Sequence, residues 1–134
     1  MDRKAYDRYL ERFNARDYDA VLDHFAPRFE VSFGGYCLRT PSELRKFYAF
    51  LHHYVGESIT VDEYLSNGSM IAIEARVRLE GLRELPREIA TDAGFGDLLV
   101  PAVGQVIVIP QFIHYHLNQG KFVKALCAIY QPPR

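Results

Sequence analysis

Asn67-Gly68-Ser69-Met70-Ile71-Ala72-Ile73-Glu74-Ala75-Arg76-Val77-Arg78-Leu79-Glu80 is the stretch on which the fold turns. Asn-Gly is the strongest short hairpin signal, because both residues tolerate the left-handed backbone a tight turn needs. After it, Ile71, Ile73, Ala75, Val77 and Leu79 alternate with Glu74, Arg76, Arg78 and Glu80. A period of two is a strand with one face in a core and one in water. Upstream of the turn, Ile59, Val61 and Tyr64 supply its partner strand. A hairpin of long strands with no helix between them rules out an alternating βαβ arrangement.

Reading on toward the C-terminus, Leu82 to Val103 is a long connection punctuated by Pro86, Gly94, Gly96, Pro101 and, just beyond, Gly104. Its length suits a lid or arm, or one short helix around Asp97 to Val100. Gln105 to Leu117 is almost continuously apolar, the pattern of a strand buried on both faces. Pro110 inside it predicts a bulge or bend. Asn118-Gln119-Gly120 turns the chain into a last strand, Phe122 to Tyr130.

Toward the N-terminus the period changes to that of helices. Ala5, Tyr6, Tyr9, Leu10 and Phe13 share one face of a first helix. Asp17 suits the N-cap of a second, which would bury Tyr18, Val21, Leu22 and Phe25 and stop near Pro27. Phe29 to Leu38 has strand character broken at Gly34-Gly35. Thr40-Pro41-Ser42-Glu43 then reads as N-cap, first helical residue and capping box. The third helix carries Leu44, Phe47, Tyr48 and Leu51 and should end near Gly56. Three helices followed by long strands is an α+β arrangement, a curved antiparallel sheet with helices on one face.

The 134 residues are enough for one domain with a real core, 1–134 taken as a unit. Sixteen Lys and Arg balance seventeen Asp and Glu, which argues against nucleic acid and anionic membranes as partners. Two cysteines 90 positions apart, with no leader-like apolar run at the start, suit a reducing cytoplasm.

These elements resemble the NTF2-like superfamily, and within it the SnoaL-like polyketide cyclases and ketosteroid isomerases. The resemblance covers nearly the whole chain. It is carried by Arg8-Tyr9-Leu10, Arg16-Asp17-Tyr18-Asp19-Ala20-Val21, His24-Phe25-Ala26-Pro27, Thr40-Pro41, Val100-Pro101-Ala102-Val103-Gly104 and Asn118-Gln119-Gly120-Lys121-Phe122-Val123. It implies a cystatin-like cone whose sheet wraps three helices around an apolar pocket, and a homodimer through the outer sheet face. It implies a small hydrophobic carbonyl compound as partner, with no cofactor and no metal.

Residue by residue, Tyr9 falls where ketosteroid isomerases place the tyrosine that donates to the developing enolate oxygen. The plainer reading of Tyr9 is an aromatic on the buried helix face. The isomerase base falls on Phe33 and the cyclase acid on Ile113, so neither standard carboxylate is present, and ordinary steroid isomerisation is not expected. His24 is the remaining candidate for a proton carrier near neutrality. The implied pocket is lined by Phe13, Phe33, Phe47, Leu51, Gln111, Ile113 and Tyr115.

Three further sets of polar residues have plainer readings. Arg76 matches an arginine of the related limonene epoxide hydrolases, but Arg78 stands where their aspartate should be. A solvated strand face with cross-strand ion pairs accounts for both. His114 and His116 share a strand face, as two metal ligands do, but lack a third ligand and should point outward. His52-His53 suits the end of the third helix, where the dipole favours positive charge. The alternative to an enzyme is a non-catalytic module that binds an apolar ligand or dimerises.

Overall fold

The computed structural model describes all 134 residues. Helix α1 spans Arg3–Asn14, capped by Asp2, whose carboxylate accepts from the Ala5 amide at 2.8 Å. Its apolar stripe buries Tyr6, Tyr9 and Phe13. Arg16 then takes φ +63°, a left-handed residue that closes the helix end. Helix α2 is one short turn, Tyr18–Leu22, capped by Asp17.

Phe25 is not in this second helix. It opens strand β1, Phe25–Phe33, which continues through Pro27. The register of β1 against its neighbour shifts between Phe25 and Glu30. Proline is accommodated within that irregular stretch, where regular ladder bonds are interrupted. Strand β2, Tyr36–Leu38, pairs back on β1 through left-handed Gly34 and Gly35.

Helix α3, Pro41–Tyr54, begins as expected, with Thr40 Oγ1 accepting from the Glu43 amide at 3.1 Å. Glu43 reaches back one residue further than a capping box requires, to the amide of Arg39. The helix ends at Tyr54, and β3 follows without a turn, Val55–Ser66. Strand β4, Met70–Gly81, pairs with it across the Asn67-Gly68 turn. The inward residues of β4 from Ile71 to Leu79 are buried and its charged ones face water.

The connection to β5 contains one short helix, α4, Arg87–Asp92, ten residues before the expected place. It follows Pro86, the natural opening of a helix. Gly81 is needed here because an added Cβ would stand 2.1 Å from the Ala102 carbonyl oxygen. Strands β5, Val106–Asn118, and β6, Lys121–Ile129, complete a sheet of order β2-β1-β6-β5-β4-β3. The sheet is mixed rather than wholly antiparallel, since β1 and β6 run parallel. The α+β, NTF2-like architecture is as expected: helices followed by a six-stranded curved sheet that does not close.

One expectation about β5 fails. Pairing with β4 runs without a break from Met70↔His116 to Glu80↔Val106, so Pro110 makes no bulge. The Pro110 carbonyl accepts from Tyr130 on the side of β6, just past the last residue of that strand. Its missing N–H therefore faces the end of β6, where no continuous ladder is lost. Within the single chain one face of the strand is buried, and the other is the face expected to meet a partner subunit. Ile109, Ile113 and Tyr115 are buried inside, whereas Val106 and Phe112 remain 39% and 40% exposed outside. No helix is long and apolar enough to cross a membrane.

Candidate functional site

Between the sheet and helices α1 and α3 lies a cavity of about 580 Å³, and 23 of its 27 lining residues are hydrophobic. Tyr9 and Phe13 come to it from α1, Phe47 and Leu51 from α3, and Phe33 from the end of β1. Gln111, Ile113 and Tyr115 come from β5. Every residue expected to line a pocket therefore stands on this wall. The long connection adds Leu98 and Leu99, while Phe95 packs on Phe47 at 5.2 Å, so this segment closes one side.

Tyrosines dominate the polar chemistry at one part of the wall. The Tyr6 and Tyr115 hydroxyls hydrogen-bond at 3.0 Å, both buried. Tyr9 packs edge-on against Tyr115 at 6.1 Å and Phe122 at 4.9 Å. Burial pushes the Tyr6, Tyr9 and Tyr115 phenols well above their usual range, because removing water penalises the phenolate. These groups stay neutral, so each keeps a hydroxyl proton that it can donate.

His24 is placed elsewhere. Its ring packs edge-on against Tyr9 at 5.4 Å, and it is not among the residues lining the cavity. Partial burial, and next the Lys121 ammonium, lower its pKa. Phe25, the first residue of β1, is buried and lines the cavity, and its neighbour His24 does not. Phe33 and Ile113 do face the cavity, so both positions that carry a carboxylate in the resembling enzymes are apolar here.

Two carboxylates line the cavity, Glu57 and Asp97. Asp97 is exposed on the long connection, and Glu57, the sheltered one, is a residue the sequence reading missed. Along β3, Val55, Glu57, Ile59 and Val61 occupy alternate positions, and Glu57 and Ile59 line the cavity. His52, in the last turn of α3, is not a solvated end-of-helix histidine: its side chain is 3% exposed and that of Glu57 10%. The Tyr18 hydroxyl lies 2.7 Å from His52 Nδ1, and His52 Nε2 lies 2.8 Å from Glu57 Oε1. An ionised Glu57 carboxylate can only accept, so Nε2 carries a proton and donates it, while the Tyr18 hydroxyl is shared between Nδ1 and the Tyr48 carbonyl, 3.3 Å away. Burial, and next the Glu57 charge, hold the nearby Tyr48 phenol well above its usual range. Burial also pushes the Cys127 thiol, on the same cavity wall, up to about 12. The signal that could have found Glu57 was the alternation itself, had the strand been started at Val55 instead of Ile59.

The remaining polar candidates face away. Arg76 is exposed and binds Asp62 through Nε and Nη2 at 2.9 Å, a surface ion pair of the ordinary kind. His114 is exposed and His116 half-buried on the outer face.

Helices followed by a curved six-stranded sheet around such a cavity define the NTF2-like class. A protein from Silicibacter sp., proposed to be a polyketide cyclase, has the same shape, with a TM-score of 0.73 and 19% identity. That match covers 94% of this chain and 86% of the other. An NTF2-like protein of unknown function from Burkholderia pseudomallei gives 0.72 at 14%, covering 94% and 88%. TerC, co-crystallised with polyporic acid, gives 0.71 at 13%, again covering 94% and 88%. No curated protein matches the sequence. Within the class, the SnoaL-like domain family matches residues 6–125, and the chain belongs to that family.

Proposed function

We propose that the protein binds a small hydrophobic carbonyl compound, polyketide- or steroid-like, in this cavity and acts on it as an isomerase, cyclase or dehydratase. The observation that carries the reading is a 580 Å³ apolar cavity with a neutral tyrosine donor, Tyr9, on its wall. Volumes of roughly 300–1,000 Å³ suit molecules of drug size, and a few polar groups fix their orientation. A phenol held neutral in a dry site donates to oxygen more effectively as that oxygen gains charge, so it favours an enolate over a ketone. A relative of this shape, TerC, has been co-crystallised with a small molecule.

The test is a panel of polycyclic ketones and aromatic polyketides, first for binding and then for turnover. Tyr9→Phe should leave the fold and affinity nearly unchanged and lower turnover about 10²-fold or more. Equal turnover by the two proteins would leave Tyr9 as a packing residue. The same proposal includes a homodimer through the outer sheet face, supported by exposed Val106, Phe112, Leu126 and Tyr130. Phe112 and Tyr130 stack there with centroids 4.2 Å apart. Sedimentation showing only a monomer at micromolar concentration would remove that part.

A further inference from the structure

Proton transfer next to a carbonyl needs a group that takes the proton and gives it back. Phe33 and Ile113 cannot do it, His24 is off the wall, and Asp97, the other lining carboxylate, is exposed on the long connection with no side chain holding it. We propose that Glu57, held by His52 and Tyr18, is the proton-carrying residue of this cavity. The proposal rests on the reading of the cavity as a carbonyl-compound site.

Four observations carry it. First, Glu57 lines the cavity, at an inward position of a strand whose inward neighbours Val55, Ile59 and Val61 are apolar. An ionisable group on such a face costs folding free energy and is not needed for strand pairing. Second, only one of its oxygens is used by the protein: Oε1 accepts from His52 Nε2, and no protein group donates to Oε2. Third, the supporting groups are fixed. The His52 ring packs against Tyr48, with centroids 5.3 Å apart, and the Tyr18 ring lies nearly parallel to it at 5.8 Å. Fourth, the backbone beneath the carboxylate is clamped from α1. Arg16 Nη1 donates to the Glu57 carbonyl at 3.1 Å, and the Asn14 side chain bonds both the amide and the carbonyl of Ile59, at 2.9 and 3.2 Å. A carboxylate held this way loses little freedom when it meets a substrate.

The step balances within the site. The bond from the carbon beside the carbonyl to its hydrogen breaks, and Glu57 Oε2 takes the proton. The electron pair moves into the new C=C bond and the negative charge onto oxygen, which accepts from Tyr9. Return of the proton to carbon regenerates the carboxylate, so no oxidant or second reactant is consumed. His52 and Tyr18 are positioning residues: they orient Oε1 and leave Oε2 free.

The experiment follows exchange of the protons beside the carbonyl of 2-tetralone in D₂O by proton NMR, with binding read separately by saturation transfer. The wild-type protein should bind tetralone and accelerate exchange over buffer. Glu57→Gln, which can still accept from His52, should lower exchange at saturation by about 10²-fold or more while affinity holds within about threefold. His52→Gln should lower exchange at saturation by about tenfold with affinity kept, whereas a merely structural role would weaken both together. Glu57→Asp keeps a carboxylate and serves if Glu57→Gln does not fold; it should retain more exchange than any folded variant lacking the carboxylate, His52→Gln/Glu57→Ala included. Tetralone bound with exchange untouched by Glu57→Gln overturns this proposal alone. No binding by the wild-type protein overturns the reading of the cavity and this proposal with it.

Discussion

The cavity has two polar regions, and they solve opposite problems. In the cluster of Tyr6, Tyr9 and Tyr115, the Tyr6 and Tyr115 hydroxyls bond each other, the three rings pack together, and burial keeps all three uncharged. In the corner of Tyr18, His52 and Glu57, a carboxylate is held on an apolar wall by two groups that stand behind it. The first region offers a donor that does not change state; the second offers a group that can. A dry interior tolerates neutral hydroxyls cheaply, but it tolerates a carboxylate only with a built support. The difference in support is therefore a difference in expected cost when either is cut.

The sharpest way to break the comparison is to remove the middle of the corner. His52→Ala takes away a buried ring and leaves both Tyr18 and Glu57 without their partner. It should cost about 2–4 kcal/mol in urea denaturation, from lost packing and orphaned polar groups together. A cost no larger than that of an exposed substitution would mean the corner is not a unit.

Cutting the tyrosine cluster should cost less. Tyr6→Phe strands the Tyr115 hydroxyl and should lose about 1–2 kcal/mol. Because the two hydroxyls satisfy each other, Tyr6→Phe/Tyr115→Phe should cost little more than either single change. Additive losses in that double-mutant cycle would show that the 3.0 Å contact is not what holds the pair.

The smallest effect is on pH dependence, through His24 beside Tyr9. Partial burial, and next Lys121, hold its folded-state pKa below the ordinary histidine value of about 6.5. As pH falls through that value, the unfolded chain takes the proton first, so His24 removes stability on the acid side and none above it. The urea midpoint should therefore drop more between pH 7.5 and pH 5.5 in the wild type than in His24→Gln. Equal drops would mean that His24 is no less solvated folded than unfolded.

The regular parts of the fold were legible because each is set by a local rule. Thr40 before Pro41, Asn67-Gly68 and the alternation of β4 need only neighbouring residues to be understood. The errors fall where distant chain decides. Pro27 and Pro110 sit inside strands because the paired strand shifts register or ends beside them, which no local pattern reports. The apolarity of Phe112 and Val106 records a preference and not a partner. In the site, the apolar wall was legible from helix and strand faces. The Tyr18–His52–Glu57 corner was not: His52 and Glu57 are five residues apart but belong to different elements, and Tyr18 comes from a third. Expecting α3 to run to Gly56 concealed the strand that presents Glu57.

The Asn14 clasp also has a consequence for how copies of the chain meet. Strand β3 is the outermost strand on its side of the sheet, twelve residues long, and such a margin is a template on which another chain can lay a strand. The Asn14 amide fills the two backbone groups of Ile59 as a neighbouring strand would, and the irregularity between Val61 and Glu63 breaks the line further along. At the opposite margin β2 has only three residues. One asparagine at the end of a helix thus serves solubility as well as the site, by occupying a rung on which ordered aggregation would otherwise begin.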